Sequence, residues 1–257
     1  MTSRAHRPAH DDDCAQTESP VGGQEFPLPC QAVLFDCDGV LVDSTRDGER
    51  AWTRWAQRYD LDPARVLDGV HGRRSRETVE LFLPPPRRAD ALARIEALEI
   101  EGARQTPPMA GAHHLLNDPP MPWAIVTSAS TQLVHARLHA AGLPLPPVLI
   151  TGDDVDSGKP APDGYLEAAR RLGVPIAACL IAEDSAAGVR AGQAAGAAHV
   201  LGIGRPALQT TATTVVRDLS GLRWTSTALR MRAESLLRPL PGSPQQVGKH
   251  RRNTQER

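Results

Sequence analysis

Two aspartates one residue apart, Asp36 and Asp38, close an apolar run in AVLFDCDGVLVDS, residues 32–44. In a strand, residues i and i+2 face the same way and lie about 6.6 Å apart, so Cys37 points away from the pair. Two carboxylates aimed at one small space suit a reaction in which one attacks a tetrahedral centre and the other transfers a proton. The spelling DxDG also opens ordinary turns, so the pair decides nothing alone.

Three more strand-like runs end in residues of the same kind. After WAIV come Thr127 and Ser128, hydroxyls beside the start of a helix, where backbone N–H groups hold an anion or where a side chain merely caps. Lys159 follows VLIT and the loop after it, and Pro160 holds it extended; a lone lysine is ordinarily a solvated group. After CLIA stand Glu183 and Asp184, which alone read as caps of the small-residue helix that follows. The sum says more than the parts. If these four ends are adjacent, Asp36, Asp38, Glu183 and Asp184 converge with only Lys159 opposing them. Like charges in one cleft push each other toward neutrality. A divalent cation removes the conflict, and an all-oxygen ligand set beside a phosphate suits Mg²⁺ better than zinc or copper.

The elements that must position these residues alternate. Short apolar, β-branched runs lie at 31–35, 123–127, 148–151, 179–182, 198–203 and 213–217, with helical patterns at 131–141, 162–172 and 185–195. Continuous apolar strands spaced by helices predict an α/β fold with a parallel, Rossmann-like sheet covered on both faces. From 46 to 109 no strand appears. Ala51, Trp52, Trp55 and Tyr59 fall at helical spacing, and proline clusters at 84–86 and 107–108 punctuate further helical pattern. This predicts a small α-helical cap domain of 46–109 inserted in a core of 30–45 and 110–224. An open α/β sheet binds ligands at the carboxyl ends of its strands, so the insertion would sit over the site. Residues 1–29 and the basic stretch 225–257 read as poorly ordered tails.

Totals narrow the class. The formal net charge is -1, so no global field recruits nucleic acid or an anionic membrane. The four cysteines form no C-x-x-C pair, which argues against a disulfide scaffold or zinc ribbon. No run approaches the roughly 20 apolar residues of a membrane span, and the N-terminus lacks the apolar core of a secretory signal. The expectation is a cytoplasmic enzyme with a small-molecule substrate, working as a monomer, with a dimer left open.

FDCDGVLVDS, VTSAS, GKPAPDGY and EDSAAGVRAGQAAG, in that order, resemble the four signature motifs of the haloacid dehalogenase-like hydrolase superfamily, in the subgroup with a helical cap after the first motif. HGRRSRETVELF and PWAIVTSAS resemble most the sugar-phosphate and glycerol-phosphate phosphatases. The resemblance implies Mg²⁺-dependent phosphate monoester hydrolysis. Asp36 would be the nucleophile that forms an aspartyl-phosphate. Asp38 would be acid to the leaving alkoxide, then base for water, and a metal ligand through its carbonyl. Thr127 and Ser128 would hold phosphate oxygens, Lys159 would balance charge, and Glu183 and Asp184 would complete the metal site. In the cap, His71, Arg73 and Arg74 would read the substrate, with solvated arginines the equal alternative; Arg50, in the first cap helix, would either close over the phosphate or be a packing or surface residue.

The rival within the subgroup is β-phosphoglucomutase, which is similar in Val40 and in ERAW at 49–52, but has a histidine where this chain has Gly48. Dehalogenases of this superfamily lack an acid at the place of Asp38. LGIGRPA lacks the third glycine of a nucleotide fingerprint and reads as a turn, and a non-catalytic partner-binding protein would leave the full motif set unexplained. His135 and His139 stand four apart without the glutamate of a zinc motif and read as surface or packing residues.

Overall fold

The structure, a computed structural model, describes residues 23–70 and 72–238. In chain order its elements are β1 (Glu25–Pro29), β2 (Ala32–Phe35), α1 (Thr45–Arg58), α2 (Pro63–Leu67), α3 (Ser75–Phe82), α4 (Pro85–Ala103), α5 (Ala112–Leu116), β3 (Trp123–Val126), α6 (Thr131–Ala140), β4 (Val148–Ile150), α7 (Asp163–Leu172), β5 (Cys179–Glu183), α8 (Ala186–Ala195), β6 (His199–Ile203), β7 (Thr214–Val216), β8 (Leu222–Trp224), β9 (Ala228–Arg232) and β10 (Leu236–Arg238).

Each residue of AVLF, WAIV and CLIAE is buried, because helices cover both faces of these strands. The main sheet runs β10-β7-β6-β5-β2-β3-β4, parallel except at β10. From β2 the chain builds outward through β3 and β4, then returns to the other side of β2 through β5. The strand order therefore reverses at β2, and the crevice at such a reversal lies at the carboxyl ends. Asp36 follows β2 directly.

The cap consists of α1–α4 around its own core. Trp52, Trp55 and Tyr59 project from one face of α1 at i, i+3 and i+7 and are buried with Val79, Ile95 and Leu98. Trp55 Nε1 donates to the Ala91 carbonyl at 2.8 Å, and Tyr59 donates to Asp90 Oδ2 at 3.0 Å, so both aromatic polar tips are satisfied. Of the proline clusters expected to punctuate the region, 84–86 opens α4 with Pro85 in its first turn, where the lost N–H costs nothing, and 107–108 lies in the return to the core; Pro63 opens α2 in the same way. The two strands of chain joining cap to core run together. Asp43 N–H donates to the Pro107 carbonyl at 2.9 Å and Met109 N–H to the Leu41 carbonyl at 2.8 Å.

The expected loose tails are corrected at 25–29 and 225–238. There β1, β9 and β8 form a three-stranded antiparallel sheet, and β10 extends the main sheet beside β7. The overall basic composition hid a strand alternation: Leu229 and Met231 are buried while Arg230 and Arg232 face outward. Pro27 and Pro29 are tolerated because β1 lies at a sheet edge. Glu25 accepts from Arg223 across this sheet at 2.8 and 2.7 Å. The rest of both expected tails, 1–22 and 239–257, lies outside the described residues. No helix among the described residues is long and apolar enough to cross a membrane.

Leu229 joins the largest core cluster and is fully buried. Leu229→Ala should lower the free energy of urea unfolding by about 2–5 kcal/mol; a change below about 0.5 kcal/mol would show this segment to be a dispensable appendage.

Candidate active site

Asp36 N–H donates to the Ala182 carbonyl at 3.0 Å, continuing the β2–β5 ladder by one residue beyond the strand. The chain then turns at Gly39, whose φ of +76° is left-handed. A side chain at Gly39 would also collide with the Asp184 carboxylate, which lies over this turn. The turn keeps Asp36 and Asp38 on the cleft side, where both line one pocket with Asp184, Thr127 and Ser128. Cys37 is fully buried in the apolar cluster behind, as the alternation requires.

Lys159 Nζ sits between two carboxylates and is itself buried. It donates to Asp36 Oδ1 at 2.5 Å, to Glu183 Oε1 at 2.6 Å and to the Val126 carbonyl at 3.1 Å. Burial opposes its charge, yet Asp36 and Glu183 more than offset that and hold the ammonium well above its ordinary range. The ammonium's three protons are all used.

Glu183 is engaged on both oxygens. Oε1 accepts from Lys159 and from Tyr165 at 3.0 Å; Oε2 accepts from the Asp184 and Ser185 N–H groups and the Ser185 hydroxyl at 2.9–3.1 Å. One of its oxygens lies within 4.8 Å of carboxylate oxygens of Asp36 and Asp184, which brings three acids to metal-site spacing. A carboxylate has roughly four lone-pair sites, and five donors already occupy this one. Glu183 thus anchors Lys159 and the start of α8 as well as standing in that acidic cluster.

Burial, the largest influence, pushes Asp36 up to about 7, with Lys159 pulling it down and Glu183 and Asp38 adding repulsion. Asp184 is raised well above its ordinary range by burial, then by Glu183 and Asp36. Two adjacent acids held up in this way, with open oxygens facing one cleft, fit a cation that would reverse both shifts. Asp36 and Asp184, with Glu183 in the same cluster, are the carboxylates whose spacing could hold it.

The hydroxyls divide between capping and the cleft. Ser130 and Ser185 cap α6 and α8 by accepting from the N–H groups of Leu133 and Gly188. Thr127 and Asp184 are thus free of the capping duty that their positions suggested. Thr127 Oγ1 accepts from Ala129 N–H at 3.1 Å, which leaves its proton to give. The Ser128 hydroxyl donates instead to the cap, to the Gly72 carbonyl at 2.9 Å.

A family model described as haloacid dehalogenase-like hydrolase matches residues 30–196, spanning the site and the whole cap. The chain belongs to that family. Hexitol phosphatase A of Escherichia coli (strain K12) is 42% identical over 70% of this chain and 86% of that protein. 2-deoxyglucose-6-phosphate phosphatase 1 of Saccharomyces cerevisiae is 33% identical over 65% of this chain and 77% of that protein. In fold, the hydrolase is similar to β-phosphoglucomutase from Clostridium difficile, with a TM-score of 0.68 at 19% identity, covering 76% of this chain and 94% of that one.

In this hydrolase the expected cap residues separate. Arg50 is corrected: its side chain is 75% exposed, pairs with Asp47 at 3.2 Å, and faces away from the cleft. Arg74 is also corrected. It is a strut between cap and core, chelating Glu77 at 2.8 and 2.6 Å and donating to the carbonyls of Val155 at 2.8 Å and Asp156 at 2.9 Å. Arg73 does line the cleft. His71 lies outside the described residues. His135 and His139 are exposed.

Sequence reasoning missed Ser44, Arg137 and Glu99. Ser44 Oγ donates to Asp38 Oδ1 at 2.7 Å and Arg137 Nη1 to Asp38 Oδ2 at 2.9 Å. A signal existed: Arg137 stands four residues after Leu133 and three after Val134, on the buried stripe of α6. Glu99 stands four after Ile95 on the stripe of α4.

Glu183→Gln removes a charge from a fully buried pair and should lower stability by about 3–5 kcal/mol, read from the urea midpoint. An unchanged midpoint would show that Asp36 alone suffices to hold Lys159.

Proposed function

We propose that this hydrolase is a Mg²⁺-dependent phosphatase that releases phosphate from a small sugar or polyol phosphate through an aspartyl-phosphate. The observation that carries the reading is the division of labour between two aspartates: Asp36 is tied by Lys159 on one oxygen, and Asp38 stands opposite with its own donors. The phosphatases named above, among the most similar relatives, support a sugar or polyol substrate.

Lys159 occupies Asp36 Oδ1, so Oδ2 is the oxygen that attacks phosphorus. The ester bond breaks as Asp38 gives its proton to the departing alkoxide, which is a poor leaving group without one. Asp38 then takes a proton from water, which attacks the phosphorus of the aspartyl-phosphate and frees inorganic phosphate and Asp36. Thr127 and Ser128 line the wall where phosphate oxygens would sit, and Lys159 offsets the charge gathered there. Bound Mg²⁺ would supply neutralisation of the phosphate charge, held by Asp36, Asp184 and the Asp38 carbonyl. The cap residues Trp52, Arg73 and Ser75 complete the wall on the alcohol side. A monomer contains every group named.

Asp36→Asn should cut phosphate release by at least about 10³-fold while circular dichroism stays unchanged. Retained turnover would reject the nucleophile. A screen over hexose, pentose, polyol and glycerol phosphates, with Mg²⁺ or with chelator, tests the substrate class, and isomerisation of a sugar 1-phosphate in place of phosphate release would mark a mutase. Asp184→Asn should weaken Mg²⁺ binding, followed by calorimetry, by at least about tenfold, since losing even an outer partner costs 10–100-fold.

A further inference from the structure

Arg137 of α6 is only 5% exposed, yet it lines the cleft. Its Nη1 donates to Asp38 at 2.9 Å, and its Nη2 lies 3.7 Å from Glu99 Oε1 on cap helix α4. Its Nε is buried with no hydrogen-bond partner among the described residues. Glu99, itself buried, accepts from Ser75 of α3 at 3.1 Å.

This is a poor design for scaffolding. A buried guanidinium costs several kcal/mol unless its donors are used. Arg74 shows the structural alternative within the same molecule, with all three nitrogens bonded to Glu77 and to backbone carbonyls. Arg137 makes one short bond, and that bond goes to the group that must hand over a proton. Ser44 alone would anchor Asp38 by one oxygen and leave its carboxyl plane free to rotate.

We propose that Arg137 is a positioning residue: with Ser44 it fixes the Asp38 carboxyl toward the leaving-group oxygen, and Glu99 steadies the guanidinium from the cap. Of these partners Glu99 lies on cap helix α4 and Arg137 on core helix α6, so the hold spans cap and core. The inference rests on the acid role given to Asp38 above.

The test compares two substrates on each enzyme preparation: glycerol phosphate, whose alkoxide needs a proton to leave, and p-nitrophenyl phosphate, whose phenolate does not. The quantity is the ratio of their kcat/KM values, which reports steps up to ester cleavage and so excludes the later water attack. It is also independent of the folded fraction, because both values come from one sample. General acid catalysis contributes about 10²–10⁴-fold, and misplacing a group by an ångström about 10²-fold. Asp38→Asn should lower the ratio by about 10² or more. Arg137→Met should lower it by about 10–100-fold, and Arg137→Lys, which keeps the charge but loses the fork, should recover part of the loss. If Asp38→Asn shifts the ratio and neither Arg137 variant does, the positioning role is overturned while the acid stands. If Asp38→Asn leaves the ratio unchanged, the acid assignment itself fails, and the inference with it.

Discussion

One ammonium between two buried carboxylates makes the site possible. Asp36 and Glu183 end neighbouring strands, and both lie where water is excluded. Two carboxylates so placed would neutralise each other by protonation, and a protonated Asp36 could not serve as the proposed nucleophile. Lys159 meets both, at 2.5 and 2.6 Å. The rest follows from keeping it there. Glu183 is held in place by the first N–H groups of the turn into α8. Gly188 is a glycine for the same reason: a side chain there would overlap the Glu183 carboxylate. Of the neighbouring pair Glu183 and Asp184, it is Asp184 that lines the cleft, with Asp36 and Asp38.

The sheet and its helices were legible because their signals are local. Apolar four- and five-residue runs between amphipathic helices carry enough pattern to place β2, β3, β5, β6, α6, α7 and α8 almost residue for residue. Asp36, Asp38, Thr127, Lys159 and Asp184 were legible for a related reason, since each follows such a run and strand ends in a parallel sheet converge. The hold of Glu183 on Lys159 was not legible, because sequence shows that an acid arrives at the site but not which donors it meets. Those donors are Lys159, Tyr165 and the α8 turn.

The accessory sheet was missed for a different reason. Charges and prolines dominate the composition of both termini, and a composition argument averages away a two-residue period. Leu229 and Met231 alternate with arginines that lie at the surface of β9. The apolar half of that pattern is what binds the segment to the core.

Cap residues were least legible, because one arginine looks like another until its partners are counted. Arg50 is solvated, Arg74 divides its donors between Glu77 of the cap and backbone carbonyls of the core, and Arg73 faces the cleft. The informative feature was a charge standing on an apolar stripe. Arg137 in the core and Glu99 in the cap each occupy such a position, on helices that pack against each other. A helix does not bury a charge without recompense, so each implies a partner across the interface. Burial raises Glu99 toward neutrality, and Arg137 pulls it back. The pair therefore draws its electrostatic stability from cap and core together, whereas two hydrophobic side chains would pack there in any register. Seating the cap by charge, beside the proposed acid Asp38, would couple where the alcohol of the substrate is enclosed to where its leaving oxygen is protonated.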